Sequence, residues 1–231
     1  MAALFGRRLV LPIGCSCITQ FQLQGSTRLA ASQMPGYVFD WAIATADSTV
    51  AVLDRQTPFV ERDIDLELVG DRVRSRVIPG FYFWHIKHYL QIADAARISD
   101  LSGHPEGLRR FLDQHRHVMS KFGDAVEEVH CVWSNIQPNL QYAVREVGEP
   151  WSQFVLTPER YAAIKASCAR LRAQKVAVWF VCRGEDVDGS LAGLEDVVVL
   201  DEPRSNSEFK GTTGLFDPVF ERMGICRPAA F

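Results

Sequence analysis

The 231-residue sequence contains no block of basic residues, no long apolar run, no internal repeat and no low-complexity segment. Each absence closes off a class of function. There are 25 Lys and Arg against 28 Asp and Glu, a formal net charge of -3. With the cations dispersed, there is no basic stripe to neutralise a nucleic-acid backbone. A helix crossing a bilayer needs about 20 consecutive apolar residues, and no stretch provides them. Nucleic acid and a membrane span are therefore excluded from the expected partners. Residues 1–12 place Arg7 and Arg8 before only a short apolar run, followed by Gly-Cys-Ser-Cys. That is too short for the hydrophobic part of a secretory leader and a poor cleavage site, so a cytoplasmic location is expected.

Also missing is any C-x-x-C pair. The cysteines fall at 15, 17, 131, 168, 182 and 226, a pattern that suits reduced thiols better than a disulfide framework or a zinc knuckle. No H-E-x-x-H motif is present. The "EFKGTTG" stretch, Glu208 to Gly214, lacks the order of a phosphate-binding loop. No metal is expected.

What is present is ordinary core material: 47% hydrophobic residues with 23% charged, in a chain long enough to bury a sizeable interior. Four short apolar runs stand out, at 9–13, 129–133, 176–182 and 197–200. They are continuous rather than alternating, as strands covered on both faces are. Amphipathic helical patterns lie between them. In "PEGLRRFLDQHRHVMSKF", Leu108, Phe111, Leu112, His115, Val118, Met119 and Phe122 share one face. In "TPERYAAIKASC", Thr157 suits an N-cap and Pro158 the first helical position. A further short helix is expected around 215–223. The expected fold is α/β: a three-layer sandwich with a mostly parallel central sheet, one domain over residues 1–231. The aromatic-rich segment 57–95 forms an excursion covering one end of the sheet.

The chemistry centres on "LVLPIGCSCITQFQL", Leu9 to Leu23. Gly14 allows a tight turn after the first strand, and Cys17 falls where a helix begins. The positive end of a helix dipole favours a thiolate, and ligands of open α/β sheets gather beyond the carboxyl ends of the strands. The plainer reading of Cys17 is a buried thiol beside a turn. Cys15, Cys131, Cys168 and Cys182 read as core. Asp40, in "YVFDW", either caps a turn or orients a histidine. His85 and His88, in "YFWHIKHY", are three apart in an aromatic setting that fits a partly buried imidazole. His115 reads as a satisfied core histidine. At the later strand ends, Asn135 could donate to an oxyanion or a substrate hydroxyl. Arg183 could bind a phosphate or carboxylate.

Taken together, Gly14-x-x-Cys17, Leu23 in the following helix, Phe39-Asp40-Trp41 and a histidine in aromatic surroundings resemble a family. It comprises bacterial proteins of unknown function described as papain-like cysteine peptidases. Val38 stands where that pattern has proline. The resemblance implies Cys17 as nucleophile, Asp40 as orienting carboxylate and His85 as base, with His88 competing for that role.

Two functions follow as expectations. One is cysteine-dependent acyl transfer or hydrolysis, peptidase-like or acyltransferase-like, with coenzyme A as a possible acyl donor. The other is a non-catalytic protein linked to surface-polysaccharide synthesis. It would bind a small molecule, carbohydrate, nucleotide or peptide in the same crevice, through Trp41, Asn135, Arg183 and His88. The oligomeric state is not legible in the sequence.

Overall fold

The computed structural model describes residues 8–26, 28–29, 31–34, 36–40, 42–93, 96–205, 207–208 and 210–225. Trp41 and Cys226 lie outside the described residues. In chain order the elements are β1 (Arg8–Pro12), α1 (Ile18–Gly25), β2 (Ile43–Ala44), α2 (Ala46–Arg55), β3 (Leu66–Val69), β4 (Arg72–Ser75), β5 (Phe81–Tyr82), α3 (Ile86–Leu90), α4 (Pro105–Ser120), β6 (Val126–Ser134), α5 (Leu140–Val147), α6 (Pro158–Cys168), β7 (Ala173–Cys182), β8 (Val197–Val199) and α7 (Asp217–Arg222).

The four apolar runs form one sheet, all parallel, in the order β1-β6-β7-β8. Their continuous hydrophobicity has the expected cause, since each face of the sheet meets its own core. Leu9, Leu11, Val129, Cys131, Trp133, Val178 and Phe180 face a large cluster that also holds residues of α4, α5 and α6. Val10, Val132, Trp179, Val181 and Val198 face a smaller one, closed by Ile18 and Leu23 of α1 and by Phe216, Val219 and Phe220 around α7. Full burial of one such large side chain contributes about 1.5–3 kcal/mol.

The segment 57–95 does leave the parallel sheet. With β2 it builds a second, antiparallel sheet, ordered β2-β5-β4-β3. Its hairpin turns at Gly70, whose φ of 59° suits glycine. Phe59, Phe81 and Phe83 of this segment belong to the same large cluster as the inner face of the parallel sheet. Ion pairs fasten its outer side: Arg72 bridges to Glu146 at 2.7 Å, and Lys87 to Asp71 at 2.8 Å. Thr157 caps α6 as its sequence suggests, its hydroxyl accepting from the Arg160 N–H. Among the described residues no helix is long and apolar enough to cross a membrane. Nor does any group of three or more His, Cys, Asp or Glu side chains there converge as a metal site.

Candidate functional site

The residues singled out in the sequence divide into two places. Cys17, Asn135 and Arg183 lie at the carboxyl ends of β1, β6 and β7. Asp40, His85 and His88 instead line a cavity of about 700 Å³ bounded by α1, the 34–40 loop, α3 and α4. Cys17 is not among its lining residues, although Gln20, one turn further along α1, is.

Cys17 is the N-cap residue of α1, and no acidic side chain occupies the first turn. The helix dipole there favours a thiolate, but burial acts more strongly in the opposite direction. The residue is 6% exposed, and burial pushes its thiol up to about 12, against a smaller lowering by a backbone hydrogen bond. The thiol donates to Gln137 Oε1 at 3.3 Å. Cys17 is therefore a neutral, hydrogen-bonded thiol. Gly14 is needed nearby for space: a Cβ there would stand 2.3 Å from Cδ1 of Trp133. Cys15, Cys131, Cys168 and Cys182 are buried core residues.

The other strand-end residues hold loops. Asn135 spends both amide N–H groups on the carbonyls of Phe154 and Asp186, at 2.9 and 3.0 Å, which leaves no donor for an oxyanion. Arg183 is buried and directs Nε to the Glu202 carbonyl at 2.8 Å. From there residues 202–205, 207–208 and 210–212 form a strap across the strand ends. Glu202 accepts from the N–H and hydroxyl of Thr212. The side-chain amide of Gln22, on α1, donates to the carbonyls of Lys210 and Thr212, at 2.8 and 3.1 Å. Between them Gly211 has a φ of 70°, and a Cβ on it would stand 3.0 Å from Ile18 Cδ1.

The cavity has different chemistry. Asp40 is 4% exposed. Its Oδ2 accepts the Tyr37 N–H at 3.0 Å, closing the turn, while its buried Oδ1 has no partner among the described residues. Burial raises this carboxyl to about 7; the Tyr37 N–H and the Lys121 ammonium oppose that rise but are outweighed. Lys121 itself donates to the Gly36 carbonyl at 2.7 Å, just behind the turn. His85 and His88 are both exposed, so the aromatic sequence around them does not bury either imidazole. Their neighbours Phe83 and Ile86 take the interior positions instead.

His115, the third imidazole of the cavity wall, is the satisfied core histidine its helical position suggests. Its Nε2 accepts from the N–H groups of Phe59 and Val60, each at 3.3 Å, and burial lowers it from 6.5 to about 4. Between those two pH values the unfolded chain gains a proton here that the folded chain refuses. Stability is thus intact above pH 6.5 and falls on acidification, by about 3 kcal/mol from this group. Urea unfolding across that range is expected to show the loss, with a flatter profile in His115→Gln, which keeps an acceptor. Parallel profiles would contradict it.

Sequence reasoning did not single out Gln20, Gln24, Gln114, Tyr37 or Tyr89, all of which line the cavity. Gln20 and Gln24 carried a usable signal, since their i, i+4 spacing puts two amides on one face of α1. The likeness to cysteine peptidases rests on its motifs. Compared with known proteins, the chain matches no family model, no curated protein and no solved structure.

Proposed function

We propose that the protein binds a small, neutral, hydroxyl-rich molecule, a saccharide or related polyol, in the 700 Å³ cavity. The observation that carries this reading is Asp40, a buried carboxyl among the residues lining the cavity, whose Oδ1 has no partner among the described residues. A buried polar atom without a partner is costly, and a ligand hydroxyl that displaced its cover would satisfy it. The surroundings support the same class. Gln20, Gln24 and Gln114 offer amides that both donate and accept. Phe83, Phe111 and Tyr89 offer ring faces and edges, with Phe83 and Phe111 at 4.8 Å. Among the described residues the wall carries no Lys or Arg, so a phosphate or other strong anion meets no fixed cation there.

The test is titration calorimetry with a panel of mono- and disaccharides against the wild type and Asp40→Asn. The expected result is binding that the substitution weakens about tenfold or more, the value of one hydrogen bond to a charged or buried group. Absence of saccharide binding, or binding indifferent to the substitution, overturns the reading.

Cysteine-dependent acyl transfer or hydrolysis keeps one observation in its favour. Cys17 sits at the start of α1, at the carboxyl end of β1, with no acidic residue in the first turn. That chemistry would require Cys17 to shed its cover and its bond to Gln137.

A further inference from the structure

Midway along β6 the parallel sheet buries a histidine. His130 is 3% exposed, and strand alternation turns it, like Val132, towards the smaller core. Trp179, on the neighbouring β7, donates its indole N–H to His130 Nδ1 at 3.1 Å. The indole nitrogen is only ever a donor, so Nδ1 carries no proton and the imidazole is neutral, protonated on Nε2. The two rings lie 17° from parallel, as an in-plane bond between them requires. Nε2 faces Glu128 Oε1 at 3.3 Å, without a hydrogen bond of good geometry. Lys175 holds Glu128 at 2.7 Å and Arg8 holds it at 2.6 Å. They lower its carboxyl to about 2, so it stays ionised while a histidine titrates. Glu128, Arg8 and Lys175, from β6, β1 and β7, are the charged groups facing the imidazole among the described residues. The layer above, around α1 and α7, turns Ile18, Leu23, Val219 and Phe220 towards this face.

Donation from Trp179 and a second proton on His130 exclude each other. Both nitrogens of an imidazolium are donors, and a donor at Nδ1 would meet the indole N–H head on. We propose that His130 is a proton-operated latch on Trp179: a proton taken from solvent onto Nδ1 breaks the bond from the indole, draws the imidazolium towards the Glu128 carboxylate and frees Trp179 at the edge of the sheet. Trp179 borders an open groove of about 540 Å³ beside β7, which gives the freed indole room to turn. Burial holds His130 below the usual range for histidine; Glu128 opposes this, while Arg8 and Lys175 add to it. The latch therefore opens on the acid side of an ordinary imidazole.

Nitrogen-15 NMR of the full chain, followed from pH 8 to pH 4, tests this. At pH 8 the His130 ring nitrogens are expected to report a proton on Nε2 alone. On acidification the Trp179 indole N–H, assigned by its loss in Trp179→Phe, should exchange with water about tenfold faster or more, the value of one hydrogen bond. The change should run in step with protonation of His130. His130→Gln keeps an acceptor for the indole and takes no proton, so its Trp179 signal should stay protected throughout. His115→Gln should leave the response in place. A proton on Nδ1 at pH 8 overturns the proposal, and that reading needs no variant. So does a response that persists in His130→Gln, one abolished by His115→Gln, or a wild type in which Trp179 stays protected down to pH 4 or until it unfolds.

Discussion

Asp40→Asn is expected to stabilise the protein by about 4 kcal/mol above pH 7 and by almost nothing near pH 4. The sign follows from the direction in which the carboxyl is displaced. Burial raises Asp40 from 3.8 to about 7. Between those values the folded chain keeps a proton that the unfolded chain releases, so folding weakens as the pH climbs. A rise of that size corresponds to about 4 kcal/mol, and above pH 7 the penalty is constant. Asparagine has the same shape, still accepts the Tyr37 N–H and never ionises. Urea denaturation of both proteins from pH 4 to pH 8 measures the difference. A difference that does not grow with pH would mean that the carboxyl is solvated, and the case for a dry anchoring group would go with it. A group that destabilises the fold while facing a cavity is what a site retained for binding is expected to show.

The second large effect concerns Cys17. With its thiol at about 12 rather than 9, the thiolate is about a thousandfold scarcer at any neutral pH, and the sulfur is covered as well. Iodoacetamide is expected to modify Cys17 in the native protein no faster than Cys168, and at least a thousandfold more slowly than in urea. Peptide mapping over time reads the two rates. Rapid, selective labelling of Cys17 would reverse the order of the two functional readings and favour the thiol enzyme.

The parallel sheet was legible because its strands are buried on both faces, and a buried strand has nowhere to hide a polar residue. The runs at 176–182 and 129–133 identified β7 and β6, though both strands begin three residues earlier. There, Gln174 and Lys175 are exposed, and polar residues mask the signal. The two-residue strands β2 and β5 carry too little pattern to read. α5 was signposted only by Gly148, whose φ of 71° ends it.

The site was legible in part. Asp40, His85 and His88 do line one cavity. What the residues could not convey is depth. The buried Cys17 bonds to Gln137, 120 positions away, and no local pattern encodes that contact. Likewise "YFWHIKHY" names an aromatic neighbourhood without saying which way each imidazole turns. Phe83 and Ile86 go inward, and the histidines between and beside them go out.

The strap over the strand ends is gripped by its main chain. Gln22 reads carbonyls, which every amino acid supplies, so the identity of residue 210 is a free letter as far as that grip is concerned. Residue 211 is not free: its backbone angle strains any side chain, and a Cβ there would press on the Ile18 methyl. A saturation library over this loop would therefore show its sharpest losses at 211, for its backbone angle, and at Glu202, for the carboxylate that holds Thr212, a fingerprint in which one position is read by shape and the other by charge.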